Sequence, residues 1–548
     1  MENNNSIGNY LIKRLLQLGV NHVFGVPGDF VLGFNKLLEN SELKFINTCD
    51  EQGAGFAADA YARLKGLGVV CVTYCVGGLK IANTTAQCFA EKSPVVVISG
   101  SPGVNERIKN PLLHHKVKDF DTQYKVFQEI TVASTVLDNP DTAYSEIERV
   151  LTAALRYKRP VYIEIPRNMV NVTLGANNKP STNNSSSNPD ALQEALEEAV
   201  NLINQAHHPV ILAGVEIHRF QLQESLLKLV EKTNLPVAET LLGKSVINEM
   251  HPNNLGIYEG AMGKEFTRKY VEESDCVIAL GTFLSDINLG IFTAKLNPQS
   301  FIDVNSEKTS IHFHNYENIS LVDFLNGLLN ADLKHRQVNL PSRFLLPTDF
   351  SVKPGQKITV QRLFERLNLF ISNDIIVIAD VGDALFAGAD LVVHQKSRFL
   401  SPAYYASLGF AVPASIGAQM ANPNLRPLVL VGDGAFQMTG MELSTIVRYG
   451  LNPIIIVLNN LGYGTERPMQ DGTFNDILLW NYSQLPTIFN EGKGFDIRTE
   501  DELELALEES QTYTKGFCLL DVHLDPQDSS LALKRLTKAL REKVYATI

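Results

Sequence analysis

The sequence predicts an α/β protein of three domains, each a mainly parallel sheet flanked by helices. Three observations carry the prediction. Short apolar runs suited to strands buried on both faces recur along the whole chain: Val95-Val96-Val97-Ile98 and Val161-Tyr162-Ile163-Glu164-Ile165, then Pro209-Val210-Ile211-Leu212-Ala213-Gly214 and Cys276-Val277-Ile278-Ala279-Leu280-Gly281, then Ile375-Ile376-Val377-Ile378-Ala379-Asp380. Longer stretches with helical patterning separate these runs, and such alternation builds parallel sheets covered on both faces. Finally, two turn-rich seams cut the 548 residues into segments of domain size.

The first segment is 1–173. Its polar, acidic start leads into an amphipathic stretch, 7–18, which differs from a signal peptide. A linker, 174–190, follows, rich in Asn, Ser and Pro and without periodicity. The central domain is expected over 191–340. A second linker, 341–357, contains Pro341, Pro347 and Pro354, and the last domain covers 358–548. Hydrophobic residues make up 45% of the chain and charged ones 20%, enough apolar surface for large cores. The 48 basic and 60 acidic residues leave a net charge of −12, against a general nucleic-acid binder. No apolar run reaches the ~18 residues needed to span a bilayer. The six cysteines are scattered, with no Cys-x-x-Cys pair, so buried free thiols and a cytoplasmic location are expected.

The chemistry is concentrated late in the chain. The apolar run Leu428-Val429-Leu430-Val431 ends in Gly432-Asp433-Gly434, and 24 residues separate Gly434 from Asn459-Asn460, which end the run Pro453-Ile454-Ile455-Ile456-Val457-Leu458. Two strands joined by a crossover helix, read over 438–449, would bring Asp433 and Asn460 to one sheet edge, where ligands of such sheets bind. Gly432 and Gly434 would allow a sharp turn and close approach to a ligand. An anionic and a neutral oxygen suit Mg²⁺, which completes its shell with phosphate and water. Gly-Asp-Gly alone is common in turns. Its placement here, with Leu461-Gly462-Tyr463-Gly464-Thr465-Glu466 following, resembles the thiamine diphosphate enzymes.

That resemblance implies a pyrimidine-binding, a central and a diphosphate-binding domain, in that order. It implies thiamine diphosphate and Mg²⁺ as cofactors, with Asp433, Asn460 and the Gly462 carbonyl on the metal. Gly432, Gly434, Ala435, Tyr463, Asp383, the Ala406 carbonyl and the apolar side chain of Leu408 would contact the cofactor. Glu51 begins a helical segment, where a carboxylate is often only a partner for the helix dipole. It also falls at the family's glutamate on the aminopyrimidine ring, where an apolar setting would raise its pKa and help it share a proton.

Within the family the chain is most similar to the pyruvate and indolepyruvate decarboxylase group. Asp29 in Gly25-Val26-Pro27-Gly28-Asp29, the pair His114-His115, Glu466 and Trp480-Asn481-Tyr482 carry that likeness. With Glu51, the resemblance assigns Asp29, His114, His115 and Glu466 to proton handling during loss of CO₂ from a 2-oxo acid. It implies a homodimer or homotetramer whose sites combine Glu51 of one chain with Asp433 of another. Three positions depart from the group. Thr465 replaces a β-branched aliphatic residue, Leu385 stands where pyruvate-preferring members often carry tryptophan, and Tyr405-Ala406-Ser407 replaces Trp-Gly-His or Trp-Gly-Ser. Leu385 and Thr465 thus point to larger, branched-chain or aromatic 2-oxo acids, each methylene being worth only ~1–3 kcal/mol of discrimination. The alternatives are a carboligase of the acetolactate-synthase type, an FAD-containing relative and a catalytically silent homologue.

Overall fold

In the computed structural model, residues 5–175, 187–338, 340 and 350–545 are described. Both expected linkers lie largely outside them. Three sheets form, each with expected apolar runs among its strands: Val95–Ser101 and Val161–Pro166 in the first, Pro209–Ala213 and Cys276–Leu280 in the second, Ile375–Ala379, Arg426–Gly432 and Ile454–Asn459 in the third. The first contains β1 (His22–Gly25), β2 (Lys44–Asn47), β3 (Gly68–Val72), β4 (Val95–Ser101), β5 (Ala133–Val136) and β6 (Val161–Pro166), in the order β2-β1-β3-β4-β6-β5. All its pairings are parallel. The second contains β7 (Pro209–Ala213), β8 (Val237–Thr240), β9 (Asn254–Tyr258), β10 (Cys276–Leu280), β11 (Phe301–Val304), β12 (Thr309–Ile311) and β13 (His314–Tyr316), ordered β13-β12-β11-β10-β7-β8-β9. Only its β11-β12-β13 edge is antiparallel. The third contains β14 (Ile375–Ala379), β15 (Phe399–Leu400), β16 (Arg426–Gly432), β17 (Ile454–Asn459), β18 (Lys493–Ile497) and β19 (Cys518–His523), all parallel, ordered β15-β14-β16-β17-β19-β18. No helix of the described residues is long and apolar enough to cross a membrane.

The chain forms two compact units. The first joins Met1–Asn183 to Tyr405–Leu425 and Gln437–Asn452. The second comprises Asn184–Tyr404, Arg426–Phe436 and Pro453–Ile548 and holds the second and third sheets. In the first unit the helix Glu51–Lys65 meets the helix Ala411–Ala421 through small residues. A Cβ on Gly417 would lie 1.9 Å from the Ala57 carbonyl oxygen, so the two backbones touch. Gly417→Ala is therefore expected to cost about 3 kcal/mol, because the obstruction is main chain and cannot rotate away. Thermal melting of that variant checks it.

Two expectations change here. The crossover after β16 is not one helix over 438–449: a helix starts at once at Asp433 and runs to Thr439, and a 3₁₀ turn, Gly440–Glu442, precedes the helix Leu443–Arg448. The Thr439 hydroxyl donates to the Gly409 carbonyl at 2.7 Å, a contact that no local pattern announces. Five of the six cysteines are buried free thiols, but Cys49 is exposed, its thiol 3.3 Å from the Met441 carbonyl.

The second unit contains an ionisable cavity lined by Lys244, Glu249, Glu259, Lys264, Asp390 and Arg535. Glu259 is 4% exposed. Burial, then the Asp390 charge, push its carboxyl up to about 7, against the opposing pull of Arg535, Lys244 and Lys264. The native state thus holds a proton that the unfolded chain has already released, so stability falls as pH rises from about 4.5 to about 7. Glu259→Gln removes that penalty. It should stabilise the protein by roughly 3 kcal/mol above neutrality and leave it nearly unchanged near the unfolded carboxyl pKa. Denaturant melts at the two pH values test this.

Candidate active site

In the second unit the site grows from the ends of β16 and β17. Their register pairs Gly432 with Leu458, so Asp433 and Asn460 emerge at the same edge. Asp433 is 1% exposed. One carboxylate oxygen accepts from the Gly434 amide at 2.8 Å, the other from the Gly462 amide at 3.1 Å. Burial pushes this carboxyl up to about 6 even though neighbouring amides pull it down. The asparagine pair divides its work. Asn459 Nδ2 donates to Asp521 Oδ1 at 2.8 Å and ties β17 to β19. Asn460 Oδ1 is buried without a hydrogen-bond partner.

The turn that follows is set by sterics. Leu461 has φ 63° and Gly462 φ 145°. A Cβ on Gly462 would lie 2.0 Å from the Asn475 carbonyl oxygen, so only glycine fits. The Tyr463 amide donates to that same carbonyl at 2.9 Å, and a Cβ on Gly434 would meet the Tyr463 ring at 2.7 Å. Gly432 lacks a left-handed φ, and nothing lies within 4 Å of a Cβ built there. Ala435 is buried, Glu466 is exposed, and the Thr465 hydroxyl lies 3.0 Å from a Cβ built on Gly382, next to Asp383. Asp383 opens the helix Asp383–Ala389 and accepts from the amide and hydroxyl of Ser530. Leu385 is 1% exposed, within the apolar core of this unit.

In the first unit the turn after β1 carries Asp29. His114 Nε2 lies 2.6 Å from Asp29 Oδ2, and His115 Nδ1 lies 3.9 Å from Oδ1. Phe30 stacks on His114 at 4.9 Å and meets His115 edge-on at 5.7 Å. Partial burial raises the Asp29 carboxyl, but hydrogen bonding by His114, the charges of both histidines and the Phe30 amide outweigh it and hold the carboxyl below the usual range. Glu51 is the first residue of its helix, capped by Asp50, whose side chain accepts from the Gln52 amide at 2.8 Å. Its carboxylate pairs with Lys80 Nζ at 2.7 Å. Within the first unit the partner of this carboxylate is thus a cation. Ala406 has φ 59°, a left-handed backbone at the position expected to present its carbonyl, and Leu408 is half-buried nearby in sequence.

Three contributors were not foreseen. Lys80 and Ser530 hold expected site carboxylates from distant segments. Glu442, 2% exposed, accepts from the Cys49 and Asp50 amides at 3.2 and 3.1 Å and so braces the turn that leads into the Glu51 helix. The small residues of that helix were the one available hint, since a Cβ on Gly53 would collide with the Glu442 carboxylate.

Comparison with known proteins decides the family. Models described as thiamine pyrophosphate enzyme, N-terminal TPP binding domain, central domain and C-terminal TPP binding domain match residues 5–124, 196–331 and 380–522. An indole-3-pyruvate decarboxylase of Azospirillum brasilense is 36% identical over 520 residues, 93% of this chain and 94% of that protein. The chain belongs to the thiamine diphosphate-dependent 2-oxo-acid decarboxylases. An alpha-keto-acid decarboxylase of Mycolicibacterium paratuberculosis is 33% identical over 530 residues (95% and 94% of the two chains), and pyruvate decarboxylase 4 of Arabidopsis thaliana is 31% identical over 545 (96% and 90%). The residues of this decarboxylase fit its cofactor: the buried Asp433 carboxylate and the unpartnered Asn460 oxygen, side by side at one strand edge, are hard donors that require a cationic or hydrogen-bonding occupant.

Proposed function

We propose that the enzyme removes CO₂ from a 2-oxo acid without net oxidation and releases the aldehyde, with branched-chain or aromatic 2-oxo acids preferred. The observation that carries this reading is the buried Asp433 beside the unpartnered Asn460 oxygen, on a chain that also gathers Asp29, His114 and His115. Thiamine diphosphate, when bound, supplies the electron sink for the departing carboxylate's electrons. The protein supplies position and protons. Asp433, Asn460 and the Gly462 carbonyl offer three oxygens to Mg²⁺, with Gly432, Gly434, Ala435 and Tyr463 around the diphosphate. Glu51 carries a proton to and from the aminopyrimidine. Asp383 and the Ala406 carbonyl orient the cofactor, and Leu408 supports it from below. Asp29, His114, His115 and Glu466 hold and deliver the proton that replaces CO₂.

Leu385, smaller than the tryptophan frequent in pyruvate-preferring relatives, supports the larger substrate, with Thr465 the other pocket residue that departs from the group, as does the similarity to an indole-3-pyruvate decarboxylase. The active assembly is at least a homodimer, Glu51 of one copy serving Asp433 of another, with a homotetramer as the larger form, in the cytoplasm. The test is an assay with thiamine diphosphate and Mg²⁺ against pyruvate, 2-oxoisovalerate, phenylpyruvate and indolepyruvate, reading aldehyde and CO₂ together. Equal yields of both, highest on a branched or aromatic acid, support the reading. CO₂ with acyloin or an acetohydroxy acid in place of aldehyde would make the enzyme a carboligase. A preference for pyruvate would overturn the substrate assignment alone.

A further inference from the structure

We propose that Asp29, His114 and His115 form a binding site for a divalent transition-metal ion of the zinc class, distinct from the Mg²⁺ position, and that its occupancy shuts the enzyme off. Among the described residues no other group of three His, Cys, Asp or Glu side chains is placed to hold a metal ion. The donor set, two imidazole nitrogens and one carboxylate oxygen, suits zinc, cobalt or nickel and is a poor set for Mg²⁺.

Geometry favours the site in four ways. The ligand atoms lie within 4.8 Å of one another. Tetrahedral bonds of 2.0–2.2 Å place neighbouring ligands about 3.4 Å apart, so a small side-chain rotation closes the set. His114 is half exposed and already lies against Asp29, so the rotation it needs is small. His115 has φ 66°, a backbone turn that lets two consecutive imidazoles face the same carboxylate. The His114–Asp29 hydrogen bond satisfies two members only: His115 Nδ1 is buried without a partner, and a metal would engage it. Phe30, 1% exposed, packs against both rings and limits their freedom before any ion arrives. Arg167, a cation 5.1 Å from the Phe30 ring, is itself engaged by Glu106, which reduces its repulsion of an ion. Three protein ligands leave a fourth position open to water or to a substrate oxygen.

The inhibitory half rests on the proton-handling role proposed above, because a nitrogen lone pair bonded to a metal cannot take up a proton. The binding half does not rest on it. The test uses the holoenzyme saturated with thiamine diphosphate and Mg²⁺, titrated with Co²⁺ as a spectroscopic probe and with Zn²⁺ as a competitor. Expected is one additional Co²⁺ per chain with visible d–d bands, displaced by Zn²⁺, and decarboxylation lost with the same midpoint. His115→Ala and Asp29→Asn should each weaken Co²⁺ binding at least about 100-fold, the upper range even for loss of an outer-shell partner. Their melting temperatures should stay close to wild type, since these side chains lie at the surface. Absence of a second Co²⁺, or one retained unchanged in both variants, overturns the site. A Co²⁺ lost in both variants but harmless to turnover in the wild type upholds the site and overturns the proton-handling role of the histidine pair.

Discussion

Glu51→Gln is expected to lower decarboxylation by about 10²–10⁴-fold, or roughly 3–5 kcal/mol of transition-state stabilisation, the range for a positioned proton carrier. The fold should survive. Glu51 adds one favourable charge to the first turn of a helix that keeps its Asp50 cap and its Glu442 contacts, and the charge itself is worth about 0.3–1 kcal/mol. Glutamine keeps the hydrogen-bonding shape and loses the transferable proton, so thiamine diphosphate affinity should change far less than turnover. Steady-state kinetics with a direct cofactor titration separates the two. A loss of only a few-fold would reduce Glu51 to a helix-dipole partner held by Lys80.

The second large effect concerns Asp433. Asp433→Ala removes the one carboxylate at the β16 edge and should weaken thiamine diphosphate and Mg²⁺ binding at least about 100-fold. It also strands the Gly434 and Gly462 amides, at roughly 1–3 kcal/mol for each donor left buried. Asp433→Asn keeps an acceptor for one of those amides, turns a donor toward the other and discards the charge, so comparison with Asp433→Ala separates lost anchoring from a damaged turn. It should melt between wild type and Asp433→Ala, with one amide left unsatisfied in place of two, and still bind cofactor poorly. Calorimetric titration of cofactor into both variants measures this, and unaltered binding in Asp433→Asn would remove Asp433 from the metal site.

The diphosphate end was readable because its chemistry is local. A buried strand, an acidic turn and a second strand ending in asparagine lie within 33 residues, 428–460, and the parallel pairing that unites them follows from their apolar character. What escaped was carried by contacts remote in sequence. Thr439 bonds Gly409 and breaks the expected crossover helix, Ser530 occupies Asp383, and Lys80 meets Glu51. None has a periodicity or a motif, because the partner's identity matters only once the fold has brought it near. The Asn459-Asn460 pair shows why a motif alone does not assign roles: both amide oxygens are buried without a partner, and the amide nitrogen of Asn459 braces the sheet through Asp521.

The interleaving of the two compact units bears on how the protein is made. The first unit is not a continuous stretch: it recruits Tyr405–Leu425 and Gln437–Asn452 after the chain has passed through most of the second. An emerging N-terminal segment would therefore hold the Glu51 helix with an uncovered small-residue face and no Glu442 at its start until more than four-fifths of the chain had been synthesised. Contacts this distant carry a high loop-closure cost and slow folding. A fragment cut in the 174–190 linker would lack them, so this enzyme should mature as one cooperative object and not by assembling independently folded modules.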